Sequence, residues 1–270
     1  MWLRRSFRSA YMSKTSSQRS ISSSFIKGLA ILEAFDAETS SLTLAELARR
    51  TGQDRATARR GALTLVAAGY LRQVNRKLRL SPRVLGLAGN FLSTYQFNSQ
   101  IQPILDRYAH SMTSEISLVI LDGDAPLTLA HSRPSRHAGD HIGTLGTQTS
   151  LWHSSFGRML LALRTQEDVA SALETRERTK PTHSSIVDPL ILLEKINEAR
   201  LRGFVFVDGE EEQGIASYAV PVSIAGQTPL VVGTSFPRGL GKSTLDEVVL
   251  AHLQACAAEI RHTSICAALS

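Results

Sequence analysis

The stretch that most constrains the fold runs from Thr43 to Leu80, "TLAELARRTGQDRATARRGALTLVAAGYLRQVNRKLRL". Thr43 is followed three residues later by Glu46, which is the spacing of a capping box and so of a helix start. Leu44, Leu47 and Ala48 then make one apolar face, and Gly52 ends the helix as a left-handed cap residue does. Asp54 caps a second helix that reaches about Ala68 before Gly69 stops it. Two short helices joined by a glycine-containing turn of about three residues form a helix-turn-helix, whose second helix lies in the DNA major groove. Beyond Gly69, Leu71, Leu78 and Leu80 alternate with polar residues around Val74–Asn75–Arg76. Asn75 tolerates the left-handed conformation of a tight turn, so the segment reads as a β-hairpin with a basic tip, the wing of a winged helix.

The charge on this module has a direction. On the second helix Ala58, Ala62, Leu65 and Val66 face inward, while Arg55, Thr57, Arg59 and Arg60 face outward. Arginine can bond guanine bidentately or grip phosphate. The expected DNA-contacting set is Thr43, Arg55, Thr57, Arg59 and Arg60 on the helices, with Arg72, Arg76, Lys77 and Arg79 on the wing. The competing reading is a solvated cationic face on an ordinary helical domain. Residues 1–100 carry 16 Lys and Arg against 5 Asp and Glu, a net of +11, whereas residues 101–270 carry 14 against 19, a net of −5. A basic front half on a mildly acidic back half points to two modules, the first with a polyanionic partner.

Around this core, residues 1–23 are basic and serine-rich with no acid, and are expected to be a disordered tail. Such a tail also has the composition of a transit peptide, of a basic arm, or of an overlong start before Met12. A helix over about 25–36 would present Ile26, Leu29, Leu32 and Phe35, completing a DNA-binding domain at 24–81. Ser81 and Pro82 then open a linker helix over 82–96, with Val84, Leu85, Leu87, Phe91 and Leu92 on one face.

From residue 97 to about 267 the pattern changes to mixed α and β. A helix covers about 102–114. "EISLVILDG" and "PLTLAHS" form a hairpin, and a helix begins near Ser154. Further helices cover about 166–174 and 188–202, three strands follow within "FVFVDGEEEQGIASYAVPVSIAG" and "TPLVVGTSF", and a last helix spans about 243–262. This order describes an antiparallel sheet flanked by helices, an α+β domain.

Together, "SFIKGLAILEAFD", "LTLAELARRTGQDRATARRGALTLVAAGYL", "LSPRVLGLA", "SLVILDGD", "HSSFGRMLLA" and "GFVFVDGEEEQGIASYAVPV" resemble the isocitrate lyase regulator (IclR) family of bacterial transcription factors. The resemblance covers about residues 24–265. It implies an N-terminal winged helix, a linker helix and a C-terminal effector-binding domain related to the GAF fold. It also implies a cytoplasmic, nucleoid-associated bacterial protein that binds palindromic operators in double-stranded DNA as a homodimer or dimer of dimers. Its effector would be a small organic or aromatic acid. The wording "RATARR", "LTL" and "SPRVL" is similar to the subgroup controlling protocatechuate, p-hydroxybenzoate and β-ketoadipate catabolism. Carried over by position, the resemblance implies an effector site drawing on His131, Trp152, His153, Ser154, Ser155, Phe156, Asp208, Ile215, Ser217 and Thr234.

Several positions depart from the family pattern. Gly61 stands where a bulky apolar residue is usual and is expected to loosen the packing of its helix. Val74–Asn75 replaces an acidic-glycine wing tip. His131 stands where the strand often has arginine, and Trp152–His153 replaces a small residue ahead of the serines, which suggests an altered ligand.

Other constellations lead nowhere. "RGLGKST" lacks the first glycine of a phosphate-binding loop, because Phe236 stands there. There is no G-x-S-x-G, so a hydrolase is not indicated, nor is any catalytic residue or cofactor. "GEEEQG" reads as a solvated loop rather than a metal site. The two cysteines are too few for a disulfide framework, and no window is apolar enough for a membrane span. Two rival functions remain: a constitutive DNA-binding protein with a vestigial pocket, and an enzyme with an appended DNA-binding module.

Overall fold

A computed structural model describes residues 21–36, 39–123, 125–134, 144–224, 226–238 and 243–269. The chain divides after Thr94 into two compact units. The expected disordered tail lies outside the described residues, except that Ser22 caps the first helix and Ser23 opens it.

The first unit contains α1 (Ser23–Leu32), α2 (Leu44–Thr51), α3 (Arg55–Ala67), the hairpin β1 (Leu71–Val74) and β2 (Lys77–Leu80), and α4 (Val84–Thr94). The capping box forms as its spacing predicts. The Thr43 hydroxyl accepts from the Glu46 amide at 3.3 Å, and Glu46 Oε2 accepts from the Thr43 amide at 2.8 Å. Caps of this kind contribute about 1 kcal/mol. Gly52 takes φ 64° as the left-handed cap. Asp54 accepts from the Thr57 amide at 2.9 Å and starts α3. Ile31, Leu42, Leu47, Ala62, Leu71 and Leu78 form the core.

α1 departs from expectation. It ends at Leu32 rather than near residue 36, and Ile26 and Leu29 are exposed, while Ile31 is fully buried. The reason lies across the interface with α3. A Cβ added at Gly61 would meet Ile31 Cδ1 at 2.5 Å, so the glycine accommodates the isoleucine. Gly61 therefore does not loosen this packing; Ile31 fills the space that a bulkier residue at 61 would occupy. The hairpin is anchored by a bridge absent from the sequence reading. The Leu42 amide donates to the Leu78 carbonyl at 3.0 Å, and the return bond is 2.7 Å. At its tip Asn75 and Arg76 have φ of 48° and 63°. Two consecutive left-handed residues are what a two-residue hairpin turn with the right twist requires.

The second unit opens with a π-helical turn at Phe97–Ile101 leading into α5 (Gln102–Met112). Then come β3 (Ile116–Asp122), β4 (Ala125–Ser132), α6 (Ser155–Ala162), α7 (Gln166–Thr175), α8 (Pro189–Arg202), β5 (Val205–Asp208), β6 (Ile215–Pro221), β7 (Leu230–Pro237), α9 (Ser243–Arg261) and α10 (Ile265–Ala268). The five strands form one antiparallel sheet in the order β4-β3-β7-β6-β5. Alternation divides it cleanly. Val119, Val231, Ala219, Val205 and Val207 join Phe156, Met159 and Leu160 of α6 and Leu192 and Ile196 of α8 in one core. α5 and α9 cover the other face, where Tyr218 packs against Phe206 and Phe236 with ring centroids 4.7 and 6.1 Å away.

Candidate DNA interface and effector site

Burial sorts α3 as its sequence predicts. Ala58 and Ala62 are fully buried, Leu65 and Val66 partly so, and Arg55, Arg59 and Arg60 are exposed. The Arg60 guanidinium donates to the Thr57 hydroxyl at 3.2 Å, joining two of the expected contacts on one face. The Thr57 amide holds the Asp54 carboxyl below the usual carboxylate range, so the cap stays anionic at the start of a cationic helix. Thr43 has a structural role as well, because its amide and hydroxyl both engage Glu46.

The wing register gives a sharper result. Leu71 pairs with Leu80 and Gln73 with Leu78 on the core side. Arg72 therefore stands opposite Arg79, and Val74 opposite Lys77, on the outer side, all four exposed. Like charges directly opposed across two strands are unfavourable in the free protein. They are favourable once an anion lies over them.

In the second unit the sheet decides which expected residues can meet. Ser117 pairs with His131 on β4 and with Gly233 on β7, and Gly233 pairs with Ala219, which lies on the α6 side. One step along, Ser217 pairs with Ser235. His131, Ser117, Ser217, Ser235 and Ile215 thus share the face that α6 covers. Gly233 is needed there, since a Cβ would lie 2.7 Å from Phe156 and 2.2 Å from the Tyr218 carbonyl.

Two expected effector residues fall elsewhere. Thr234 pairs with Tyr218 on the opposite face; its hydroxyl bonds Ser114 at 2.8 Å and the Glu115 carbonyl. A strand has a period of two, so Thr234 cannot share a surface with Ser217, whereas its neighbour Ser235 does. Asp208 is in step with Ala216, again opposite Ser217, and its carboxylate pairs with Arg238 at 3.0 Å.

His131 sits in a polar cluster that no single motif signals. Its Nδ1 lies 2.9 Å from the Ser117 hydroxyl, and its Nε2 accepts from Arg133 Nε at 2.9 Å. Glu115 Oε2 lies 3.7 Å from Arg133 Nε. Burial, reinforced by Arg133, pushes His131 down to about 4. Burial pushes Glu115 up to about 7 against the pull of Arg133. The imidazole is neutral at physiological pH, and the cation of the cluster is Arg133, one residue beyond the end of β4.

The segment before α6 is almost wholly buried. Ser154 caps the helix, accepting from the Gly157 amide at 2.9 Å, which leaves the amides of Ser155 and Phe156 as its first donors. Trp152 Nε1 donates to the Glu177 carbonyl at 3.2 Å. His153 Nε2 lies 2.7 Å from the Thr179 carbonyl, and burial lowers its pKa.

"GEEEQG" is not a solvated loop. Glu210 is buried and grips both Nη atoms of buried Arg158, one at 2.7 Å, while Arg158 Nε donates to the Trp152 carbonyl at 2.8 Å. Glu211 Oε1 accepts from the Ser150 amide at 2.6 Å, and burial pushes its carboxyl up to about 7. Both carboxylates face inward because the turn that opens α6 offers an arginine and an amide. Sequence spacing could not place partners 52 and 61 residues away.

Comparison with known proteins agrees with both units. Residues 24–75 match the IclR helix-turn-helix domain, and residues 89–262 match the C-terminal domain of the bacterial transcriptional regulator IclR. The chain belongs to the IclR family of bacterial transcriptional regulators. It is 30% identical over 241 residues to the Pca regulon regulatory protein of Pseudomonas putida, covering 88% of this chain and 83% of that one. A transcriptional regulator from Rhodococcus sp. RHA1 has 31% identity and a TM-score of 0.74, covering 93% of this chain and all of the other. An IclR homologue of Microbacterium hydrocarbonoxydans, crystallised with 4-hydroxybenzoate, shares the fold with a TM-score of 0.71 at 20% identity, covering 89% and 100%. No helix among the described residues is long and apolar enough to cross a membrane.

Proposed function

We propose that this protein regulates an operon for the catabolism of an aromatic or small organic acid, binding a palindromic operator in double-stranded DNA and responding to that acid. The observation that carries the reading is the pairing of an outward Arg72–Arg79 face in one unit with a polar cluster in the other, where buried Ser117 and half-buried His131 meet the exposed guanidinium of Arg133. The first suits phosphate and the second suits a small anion. The aromatic assignment is supported by the Pca regulon relative and by the 4-hydroxybenzoate bound to a protein of the same fold. On α3, Arg59 reads a base, Arg55 and Arg60 flank it, and Arg76 and Lys77 at the wing tip hold the backbone. Effector contacts come from His131, Ser154, Ser155, Phe156, Ile215 and Ser217, joined by Ser117, Arg133 and Ser235. The exposed Phe25, Leu85 and Leu87 support assembly as a homodimer or dimer of dimers. The protein acts in the cytoplasm at the nucleoid, and an effector that prefers one arrangement of the dimer shifts operator affinity.

The test is a fluorescence-anisotropy titration against the DNA upstream of its own gene, at two salt concentrations, with and without protocatechuate and p-hydroxybenzoate. Selective binding that one acid shifts is expected. Selective binding that no acid alters would favour a constitutive DNA-binding protein, and absence of selective binding would overturn the proposal.

A further inference from the structure

α8 has two unlike sides. Leu192, Ile196 and Ala199 are buried on the side that meets α6 and α7. On the opposite side, Leu190, Glu194, Asn197 and Leu201 follow one another at intervals of four, three and four residues. That is the heptad spacing of a coiled-coil seam, so the four lie along one stripe. Leu190 is 75% exposed and Leu201 88%. The stripe lines an open groove that Leu193 and Glu198 complete. Leucines left bare at both ends of one helix face mark a surface made for a partner.

The polar residues between the leucines decide which partner. The cations of α8 are engaged elsewhere. Lys195 and Arg202 hold Glu198 at 3.0 and 2.7 Å. Arg200 donates to Asn197 Oδ1 at 2.9 Å and to the Ala162 and Arg164 carbonyls. Glu194 thus stands exposed on the stripe as an acceptor. Because the Asn197 oxygen is taken, its NH₂ is left as a donor. A two-fold axis between residues 195 and 196 lays the helix antiparallel on a copy of itself. Leu190 then meets Leu201 of the copy and Glu194 meets its Asn197, since each pair is equidistant from the axis. Donor meets acceptor twice, and leucine meets leucine twice. A parallel copy would set Glu194 against Glu194, so the polar pair selects the antiparallel register.

We infer that α8 is a self-association surface of the second unit, on which a second copy of this chain docks its own α8 antiparallel. The surface is distinct from the Phe25, Leu85 and Leu87 patch of the first unit and does not depend on the effector reading. Fourteen helical residues span about 21 Å. Two helices meeting over that length bury less than the roughly 1,200 Å² of a stable interface. The association is therefore weak and concentration-dependent, and it gains strength wherever the first units already hold chains together.

The experiment is sedimentation velocity on the full chain across the micromolar to submillimolar range, with melting curves to show that each variant stays folded. The wild type is expected to show a reversible association step that Leu201→Asp abolishes. Asn197→Asp keeps the shape and the Arg200 contact but sets like charges across the axis, and should weaken the step about 10-fold. Adding Glu194→Lys to Asn197→Asp restores opposite charges and should recover it. A step that Leu201→Asp and Asn197→Asp both leave unchanged belongs to another surface and would overturn the inference, as would no step at all. A step lost in Leu201→Asp but indifferent to Asn197→Asp, or not recovered by the charge swap, would overturn the antiparallel pairing.

Discussion

Glu210→Gln tests the most consequential buried contact of the second unit. The Glu210 and Arg158 side chains are 11% and 3% exposed, so solvent screens their pairing little. The carboxylate accepts from both guanidinium Nη atoms and from the Ile186 amide at 3.3 Å. Glutamine keeps the shape, removes the charge and turns an amide NH₂ toward one of these donors. Removing one member of a buried pair costs about 3–5 kcal/mol, because the remaining charge is left uncompensated. At about 2–4 °C per kcal/mol for a domain of this size, the melting temperature should fall by about 6–20 °C. Trp152 is the reporter, since its carbonyl accepts from Arg158 Nε; a Trp2→Phe background removes the only other tryptophan. The companion variant combines Arg158→Met with Glu210→Leu. It deletes both charges, leaves only the Trp152 carbonyl and Ile186 amide short of partners, and should cost no more than Glu210→Gln alone. A loss below about 1 kcal/mol in Glu210→Gln, or a double-variant loss clearly larger than that of Glu210→Gln, would refute the reasoning.

Removing Arg72 and Arg79 together as alanines should leave the first unit as stable or slightly more so, while the slope of log affinity against log salt falls by about two units; melting curves and titrations at several salt concentrations decide it. Gly61→Ala should forgo most of the roughly 1 kcal/mol helix-propensity gain, because its Cβ meets Ile31 Cδ1 at 2.5 Å. In an Ile31→Val background the same change should recover that gain, read as slowed hydrogen exchange at Ala62–Val66. The raised pKa of Glu211 means that the folded state binds a proton the unfolded chain releases between about pH 4.5 and 7. Its contribution is therefore present at low pH and lost as pH rises to about 7. Glu211→Gln should gain on the wild type by about 1.4 kcal/mol per pH unit across that window, and urea titrations at pH 5, 6 and 7 that show parallel losses would contradict this.

Local signals carried the first unit almost unaided. The capping box, Gly52, Asp54 and the Asn75 turn each act within a few residues, so their consequences are readable from the chain. Ile31 against Gly61 was not, because the gap at 61 looks like a defect until the helix from 30 residues earlier fills it. In the second unit the alternating strands were legible, but the resemblance placed Thr234 in the effector site, and a one-residue shift along a strand moves a side chain to the other face. The register puts Thr234 on the face opposite Ser117 and Ser217, the face that Ser235 shares with them. Arg158, Glu210 and Glu211 were opaque for a further reason. A run of three glutamates has the composition of a wet loop, and only the tertiary arrangement supplies the buried partners that draw two of them inward.

The division of the five-stranded sheet has an evolutionary consequence. Along β6 and β7, the side chains that would meet an effector alternate with those that stack Tyr218 between Phe206 and Phe236. On the effector reading proposed above, mutations at Ser217 or Ser235 retune ligand chemistry while the aromatic stack on the reverse side keeps the scaffold intact. A lineage of such proteins is thereby free to change its diet one residue at a time, and Gly233, pinned beneath Phe156, marks the position where that freedom stops.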